Sequence, residues 1–282
     1  MPFFNASTEV YVPDGAPIEQ ALSRTTHLGI GAHQDDLEIM AFHGILECFG
    51  KADRHFTGVT VTNGAGSPRD ALYKDYTDEE MQKVRRQEQK KAAFVGEYSA
   101  QVFLDYTSAA TKDKADFHLV EDLKQLTSSA RPEVIYTHNL ADKHDTHVAT
   151  ALKLIQALRG LPEEARPRQL YGCEVWRGLD WANDNDKVVF NVEGHENLAM
   201  SLVGIFDSQI CGGKRYDLAT MGRRRANATY FASHEVDERM SVIYALNLTP
   251  LINDEKLDIG SYIHGFIDRF GKDVLGRIAK LV

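Results

Sequence analysis

Two short segments of this 282-residue chain concentrate side chains that bind metals and move protons. We call residues 33–38 the first loop and residues 138–147 the second loop. Together they hold four of the eleven histidines of the chain and five carboxylates. These residues are His33, Asp35, Asp36, Glu38, His138, Asp142, His144, Asp145 and His147. Because imidazole nitrogens and carboxylate oxygens are common metal ligands, the pattern favours a metal site at these loops.

The spacing within the loops indicates which side chains could share an ion. Adjacent side chains at a strand-to-helix turn point in different directions, so one of Asp35 and Asp36 can join His33 on the metal while the other faces a reacting water. His144 and His147 are three residues apart at a predicted helix start and can lie on one face. Two histidines and one carboxylate are typical of a hydrolytic zinc site. The alternative is structural: the aspartates cap a helix, and the histidines are solvated.

The segments before both loops predict buried strands. Residues 27–33 and 133–137 are short and apolar, and each runs directly into a loop. Further strands are predicted at 55–62 and 102–104, and helices at 18–24, 37–49, 79–95, 118–130 and 146–160. This alternation predicts an α/β fold with a mainly parallel, Rossmann-like sheet flanked by helices. Ligands bind at the carboxyl ends of the strands in such sheets, where both loops would lie.

The last third of the chain has a different pattern. Strands are predicted at 169–176 and 187–192, followed by helices near 194–206, 214–232 and 258–280. No internal repeat and no clear domain linker interrupts the chain. We therefore expect one domain over residues 1–282, with a helical C-terminal extension over about 211–282.

Composition excludes several classes of protein. The 32 Lys and Arg against 41 Asp and Glu give a net charge of −9, which argues against binding nucleic acid by phosphate neutralisation. Three distant cysteines do not form a secreted disulfide framework. No apolar run approaches the ~18 residues of a membrane span, and the first residues lack signal-peptide features. These features predict a cytoplasmic protein with no membrane span.

The first loop resembles a known motif. His33-Gln34-Asp35-Asp36-Leu37-Glu38 is similar to the His-Pro-Asp-Asp-x-Glu motif of the LmbE-like, or PIG-L-like, deacetylases, which are zinc enzymes that remove acyl groups from N-acetylglucosamine-type amides. Other segments resemble the family in order and spacing: 61–64, the Arg85-x-x-Glu88 helix ending at Gly96, 103–105, 131–138 and the Ser-Gln element at 207–209. The resemblance covers about residues 25–210.

The resemblance implies roles for residues in both loops. His33, Asp36 and His147 would be the zinc ligands and Asp35 the general base. His144, as the imidazolium, would assist the oxyanion or the leaving amine. Iron or cobalt could replace zinc at such a site.

Two positions depart from the family pattern. Gln34 stands where proline is usual, which changes the stiffness of the loop more than its chemistry. The usual His-x-Asp-His is here His144-Asp145-Thr146-His147. The carboxylate that would tune a histidine is shifted by one position. The role of Asp145 therefore stays open.

Residues on the substrate side are less specific. Asn63 and Arg69 follow the strand at 55–62, and Asp105 ends the segment 103–105; all three are candidates for substrate binding, although loop polarity alone explains Asn63 and Arg69. Three aromatic residues, Tyr171, Trp176 and Trp181, could form a wall that stacks on a sugar or could belong to the core.

The expected function is a zinc-dependent hydrolase that removes the acetyl group from an N-acetylated amino sugar or its conjugate. One alternative is an amidase on a larger amino-sugar or thiol conjugate, and another is a non-catalytic metal-binding or sugar-binding relative. The expected partner is a small amino-sugar substrate, and a homo-oligomer stays open.

Overall fold

The strands form one twisted sheet. The computed structural model describes residues 3–282, and within them eight strands share a sheet in the order β1-β4-β3-β2-β5-β6-β8-β7. Their bounds are β1 Glu9–Tyr11, β2 His27–Gly31, β3 Phe56–Thr62, β4 Ala100–Tyr106, β5 Val134–His138, β6 Gln169–Cys173, β7 Val188–Asn191 and β8 Val242–Asn247. The five central strands are parallel, and β1, β7 and β8 run antiparallel to their neighbours.

Helices cover both faces of the sheet. They are α1 Ile18–Ser23, α2 Asp36–Met40, α3 Phe42–Cys48, α4 Asp78–Val95, α5 Ser108–Lys112, α6 His118–Ala130, α7 Asp145–Arg159, α8 Glu196–Gly204, α9 Asp207–Ile210, α10 Tyr216–Thr229, α11 Thr249–Asn253 and α12 Ile259–Leu281. Every residue of β2 and β3 is buried, as expected for central parallel strands. Two hydrophobic clusters form the core. This architecture confirms the predicted α/β fold class.

The predicted helix at 37–49 is two helices. The chain leaves helical geometry at Ala41, where φ is −104° and ψ is 15°. The buried guanidinium of Arg224 donates hydrogen bonds to the backbone carbonyls of Glu38 and Ile39. These bonds satisfy acceptors at the end of α2, where the helical hydrogen-bond pattern stops.

The C-terminal extension contains a strand that the sequence did not predict. β8 lies between β6 and β7 and pairs antiparallel with both. A buried apolar run of six residues cannot be told from a helical segment by periodicity, so VIYALN carried no clear signal. The short edge strand β1 was not predicted either. None of the helices in the described part of the chain is both long and apolar enough to cross a membrane.

Close packing of α3 on β5 leads to a stability prediction. A Cβ atom at Gly44 would lie 2.5 Å from the Tyr136 ring, whereas one at Gly222 in α10 would meet nothing within 4 Å. We expect Gly44→Ala to lower the free energy of unfolding by about 1–3 kcal/mol through overpacking. Gly222→Ala, the matched control, should raise it by up to about 1 kcal/mol through helix propensity. Urea unfolding measures both, and equal stabilisation of the two variants would contradict the tight contact.

Candidate active site

The two loops meet because the strands before them are neighbours. β2 and β5 pair in parallel, with His27 opposite Val134 and Gly29 opposite Tyr136. β3 and β4 lie on the other side of β2, and β6 lies on the other side of β5, so the chain order reverses between β2 and β5. A crevice at such a reversal is the usual ligand site in open α/β sheets.

Three side chains from the loops are in mutual contact. His33 Nδ1 lies 3.1 Å from His147 Nε2 and 3.4 Å from one Asp36 carboxylate oxygen, and the other Asp36 oxygen lies 3.4 Å from His147 Nε2. A tetrahedral zinc ion binds nitrogen and oxygen at about 2.0–2.2 Å, which places neighbouring ligand atoms about 3.4 Å apart. The observed separations fit such an ion, and the donor set suits zinc or a related divalent metal.

The charge states of this cluster also suit a metal. Burial by itself would raise the pKa of Asp36, but the rings of His147 and His138 and hydrogen bonds to the carboxylate hold that pKa well below its usual value. Burial lowers the pKa of His147 to about 3, despite the opposing charge of Asp36. Metal ligands must be ionised carboxylates and neutral imidazoles, which are the forms favoured here.

Asp142 is the carboxylate that faces His147. Its Oδ2 lies 3.6 Å from His147 Nδ1, a polar contact that is longer than a hydrogen bond. The backbone N–H groups of His144 and Trp176 donate to Asp142 and hold its side chain in place. Asp145, in contrast, is the exposed first residue of α7. The carboxylate beside His147 is therefore supplied by Asp142, five residues before it, and not by Asp145 of the shifted motif.

His138 is a buried neighbour of the cluster that sequence reasoning did not assign. Its ring stacks on His147 with centroids 3.8 Å apart, and its Nε2 lies 3.3 Å from Asp36. The same Nε2 accepts the backbone N–H of Ala32 at 2.9 Å. Although Asp36, His138 and His147 are close enough to hold an ion, the lone pair of His138 is already engaged. The sequence feature that could have indicated His138 is its position at the carboxyl end of β5, where ligands bind in such sheets.

Asp35 lies beside the cluster in an uncommon backbone conformation. Its φ is 96°, in the left-handed region, and its side chain is buried in the wall of a cleft. Its backbone N–H donates to Gln89, and its carboxylate lies 3.6 Å from the Arg85 guanidinium. Burial raises the pKa of Asp35 well above its usual value; Arg85 opposes this effect, and Asp36 adds to it.

The first loop is braced from α4 and β3. Arg85 donates to the Gln34 carbonyl at 2.7 Å, and the Gln34 side chain donates to the Thr62 carbonyl at 3.1 Å. A Cβ atom at Gly64, where φ is +78°, would lie 2.5 Å from Gln34 Oε1, so this close approach requires glycine. Gln34, where the family has proline, thus anchors the loop through its side chain.

The Ser-Gln element is held by the same helix. Both carboxylate oxygens of Glu88 accept from Ser208, one from its backbone N–H and one from its hydroxyl. Gln209 then lies on the wall of the cleft. One buried face of α4 therefore supports both the first loop and this distant element.

The cleft outside the cluster has a volume of about 540 Å³. His33, Asp35, His144, Trp176 and Tyr216 are among its lining residues. The His144 ring lies 4.5 Å from that of His147, and its buried Nδ1 has no hydrogen-bond partner within the described residues. Trp176 is half-buried: it lies on the cleft wall and also packs against one of the core clusters, whereas Tyr171 and Trp181 pack against the core and do not line the cleft.

The substrate-side candidates from the sequence are engaged elsewhere. Asn63 accepts the backbone N–H of Ala65, and Arg69 bonds the Ala65 carbonyl and pairs with Asp78. Asp105 accepts from Arg86 at 2.6 Å. None of the three is among the residues that line the 540 Å³ cleft.

Comparisons with known proteins find a family model that spans both loops and solved structures with a similar fold. Residues 28–158 match the family model described as PIG-L: GlcNAc-PI de-N-acetylase. The comparison with curated proteins found no match.

Similar solved structures include the conserved protein TT1542 from Thermus thermophilus, with 17% identity and a TM-score of 0.62 over 79% of this chain and 94% of that chain. The 4-carboxy-2-hydroxymuconate hydratase GalB from Pseudomonas putida has 16% identity and a TM-score of 0.62 over 79% and 96%. The N,N'-diacetylchitobiose deacetylase from Pyrococcus horikoshii has 14% identity and a TM-score of 0.61 over 82% and 86%. At such identities these likenesses establish a shared fold. Residues 28–158, which contain both loops, are thus the part of the chain that is similar to the PIG-L, or LmbE-like, de-N-acetylase family.

Proposed function

We propose that this protein is a zinc-dependent hydrolase that removes the acetyl group from an N-acetylated amino sugar or its conjugate. The observation that carries the proposal is the mutual contact of His33, Asp36 and His147 beside a cleft that Asp35 also lines. The description of the matched family as a de-N-acetylase supports it. So does the shared fold with a diacetylchitobiose deacetylase.

In this proposal His33, Asp36 and His147 hold the metal. A bound zinc ion acts as a Lewis acid on the amide carbonyl and makes water a better nucleophile near neutral pH. Asp142 keeps the His147 ring oriented through its polar contact with Nδ1.

Asp35 takes the proton from the attacking water. A carboxyl group whose pKa is raised by burial is a stronger base than a solvated aspartate, and it can pass the proton on afterwards. The departing nitrogen must be protonated before the amide bond breaks, so the same group can serve the second step. The left-handed backbone at Asp35 holds the carboxyl group on the cleft wall.

His144 stabilises charge on the carbonyl oxygen. Its ring lies 5.0 Å from that of His33 and also lines the cleft. Because its Nδ1 has no protein partner among the described residues, no internal bond competes with a substrate atom. A donor held in this way stabilises negative charge that develops during the reaction.

The fold alone does not select the reaction, because a hydratase has a similar structure. Asp35 argues against a purely binding role, since a left-handed non-glycine residue with a buried acid costs about 1–3 kcal/mol. An ion-binding protein would need only the three contacting side chains.

We also propose that residues 1–282 act as one domain in the cytoplasm. The extension supplies β8 to the sheet and Tyr216 to the cleft wall. Cys48, Cys173 and Cys211 are all free, as in proteins of a reducing compartment.

Acetate release tests the function directly. The full chain, stripped with a chelator and reloaded with zinc, should release acetate from at least one member of a panel of N-acetylglucosamine derivatives. The stripped protein should be inactive. Zinc binding without turnover on any amide would favour the non-catalytic alternative.

Asp35→Asn separates metal binding from turnover. Asparagine is nearly isosteric and tolerates the left-handed backbone, so the fold and the metal content should be retained. We expect turnover to fall by about 10²–10⁴-fold because the proton acceptor is lost. Metal analysis and acetate release measure the two effects. His147→Ala is the contrasting variant, which should lose both zinc and turnover; near-normal activity of Asp35→Asn would refute the role.

Asp142→Asn tests the carboxylate that faces His147. We expect zinc affinity or kcat/KM to fall by about 10–100-fold, as when a metal-bound histidine loses its outer partner. Asp145→Asn is the matched control, three residues away on an exposed position, and should change either quantity by less than about threefold. If Asp145→Asn has the larger effect, this assignment of Asp142 is wrong.

A further inference from the structure

A second cavity adjoins the cleft at the catalytic aspartate. It has a volume of about 190 Å³, and Asp35, Asp36, Trp176 and Tyr216 lie in the walls of both cavities. These four side chains form a shared boundary. A substrate with its reacting carbonyl at this boundary would extend one end into each cavity.

The walls of the smaller cavity are mostly apolar. Beyond the shared boundary, Ile39, Val175 and Ala219 line it, and Thr220 and Arg223 complete the wall. Ile39 and Val175 are each 8% exposed, so they present a fixed hydrocarbon surface. Ala219, on α10, is the exposed residue of this wall.

The larger cleft is chemically different. Arg85, Lys112 and Lys214 line it, together with Ser67 and Ser108. Lys214 also lies over the Trp176 ring, 5.0 Å from its centroid. This cleft suits the polar, hydroxyl-rich side of an amino-sugar amide, while the smaller cavity suits an apolar chain.

We propose that the 190 Å³ cavity is the acyl pocket of this enzyme and that it takes acyl chains longer than acetyl. The inference rests on the proposed function and deepens it by naming the acyl group. At about 30 Å³ for each water-sized group, the cavity holds roughly six such groups, whereas an acetyl methyl fills one. The substrates therefore include amino sugars with a medium-length acyl amide as well as the acetylated compounds.

The reaction remains a hydrolysis. Water oxygen bonds to the carbonyl carbon, the carbon–nitrogen bond breaks, and a proton passes to the amine. The products are a free amino sugar and a medium-chain carboxylate, and no further reactant is needed.

Chain-length selectivity tests the pocket. The zinc-loaded enzyme is assayed with N-acetyl-, N-butyryl- and N-hexanoylglucosamine. Each methylene buried in an apolar pocket should raise kcat/KM about fourfold. The four additional methylenes of hexanoyl should therefore raise it by about 250-fold if all are buried, and by at least about tenfold if two are. Cleavage of the acetyl compound with steadily falling kcat/KM for longer chains would overturn the acyl pocket and leave the proposed function standing.

A pair of substitutions tests whether the smaller cavity is the source of the chain-length selectivity. Ala219→Leu adds bulk inside the pocket at a partly open helix position, so the fold should tolerate it. We expect the hexanoyl-to-acetyl ratio of kcat/KM to fall by at least about tenfold, because the added side chain removes the space for the longer acyl chain. Ala226→Leu, the same change on an exposed position of α10 outside the pocket, should leave the ratio unchanged. An equal fall in both variants would show that the cavity does not set selectivity.

Binding distinguishes failure of the pocket from failure of the proposed function. Zinc-loaded Asp35→Asn is titrated calorimetrically with N-acetyl- and N-hexanoylglucosamine. Tighter binding of the hexanoyl compound, lost when Ala219→Leu is added, supports the pocket even if no amide is hydrolysed. Equal affinities for the two compounds overturn it.

Discussion

A buried, ionised aspartate is the constraint on which this structure depends. Asp36 is 2% exposed, and a carboxylate removed from water is tolerated only when charges and hydrogen bonds replace its hydration. The backbone N–H of His33 donates to it, and ring nitrogens of His33 and His147 lie 3.4 Å from its two oxygens. These partners come from two loops far apart in sequence. The pairing of β2 with β5 is what brings them together.

Helix α4 keeps this arrangement rigid with polar side chains. Arg85, Glu88 and Gln89 are spaced three and four residues apart on one helix, and all are buried. They contact the first loop and Ser208 rather than a hydrocarbon core. Such a polar face stabilises one loop conformation, because each buried group needs its particular partner. The left-handed backbone of Asp35 depends on this support.

The C-terminal extension shapes the space around the cluster. α10 supplies Tyr216 to the boundary between the two cavities and Ala219 to the wall of the smaller one. Burial raises the pKa of Tyr216, and the nearby Asp35 and Asp36 raise it further, so its hydroxyl stays neutral. Arg224 on the same helix bonds carbonyls at the end of α2. The extension is thus joined to the first loop through several buried contacts.

The sequence by itself determined the α/β class, the strands before both loops and the candidate residues within them. It could do so because hydrophobic periodicity and turn signals depend on neighbours along the chain. Only the tertiary structure decided that Asp142 rather than Asp145 faces His147. It also decided that β8 enters the sheet and that Trp176 lines the cleft while Asn63, Arg69 and Asp105 have internal partners. Those outcomes depend on how elements distant in sequence pack against each other. The spacing of side chains along the chain does not determine which distant residue will contact them.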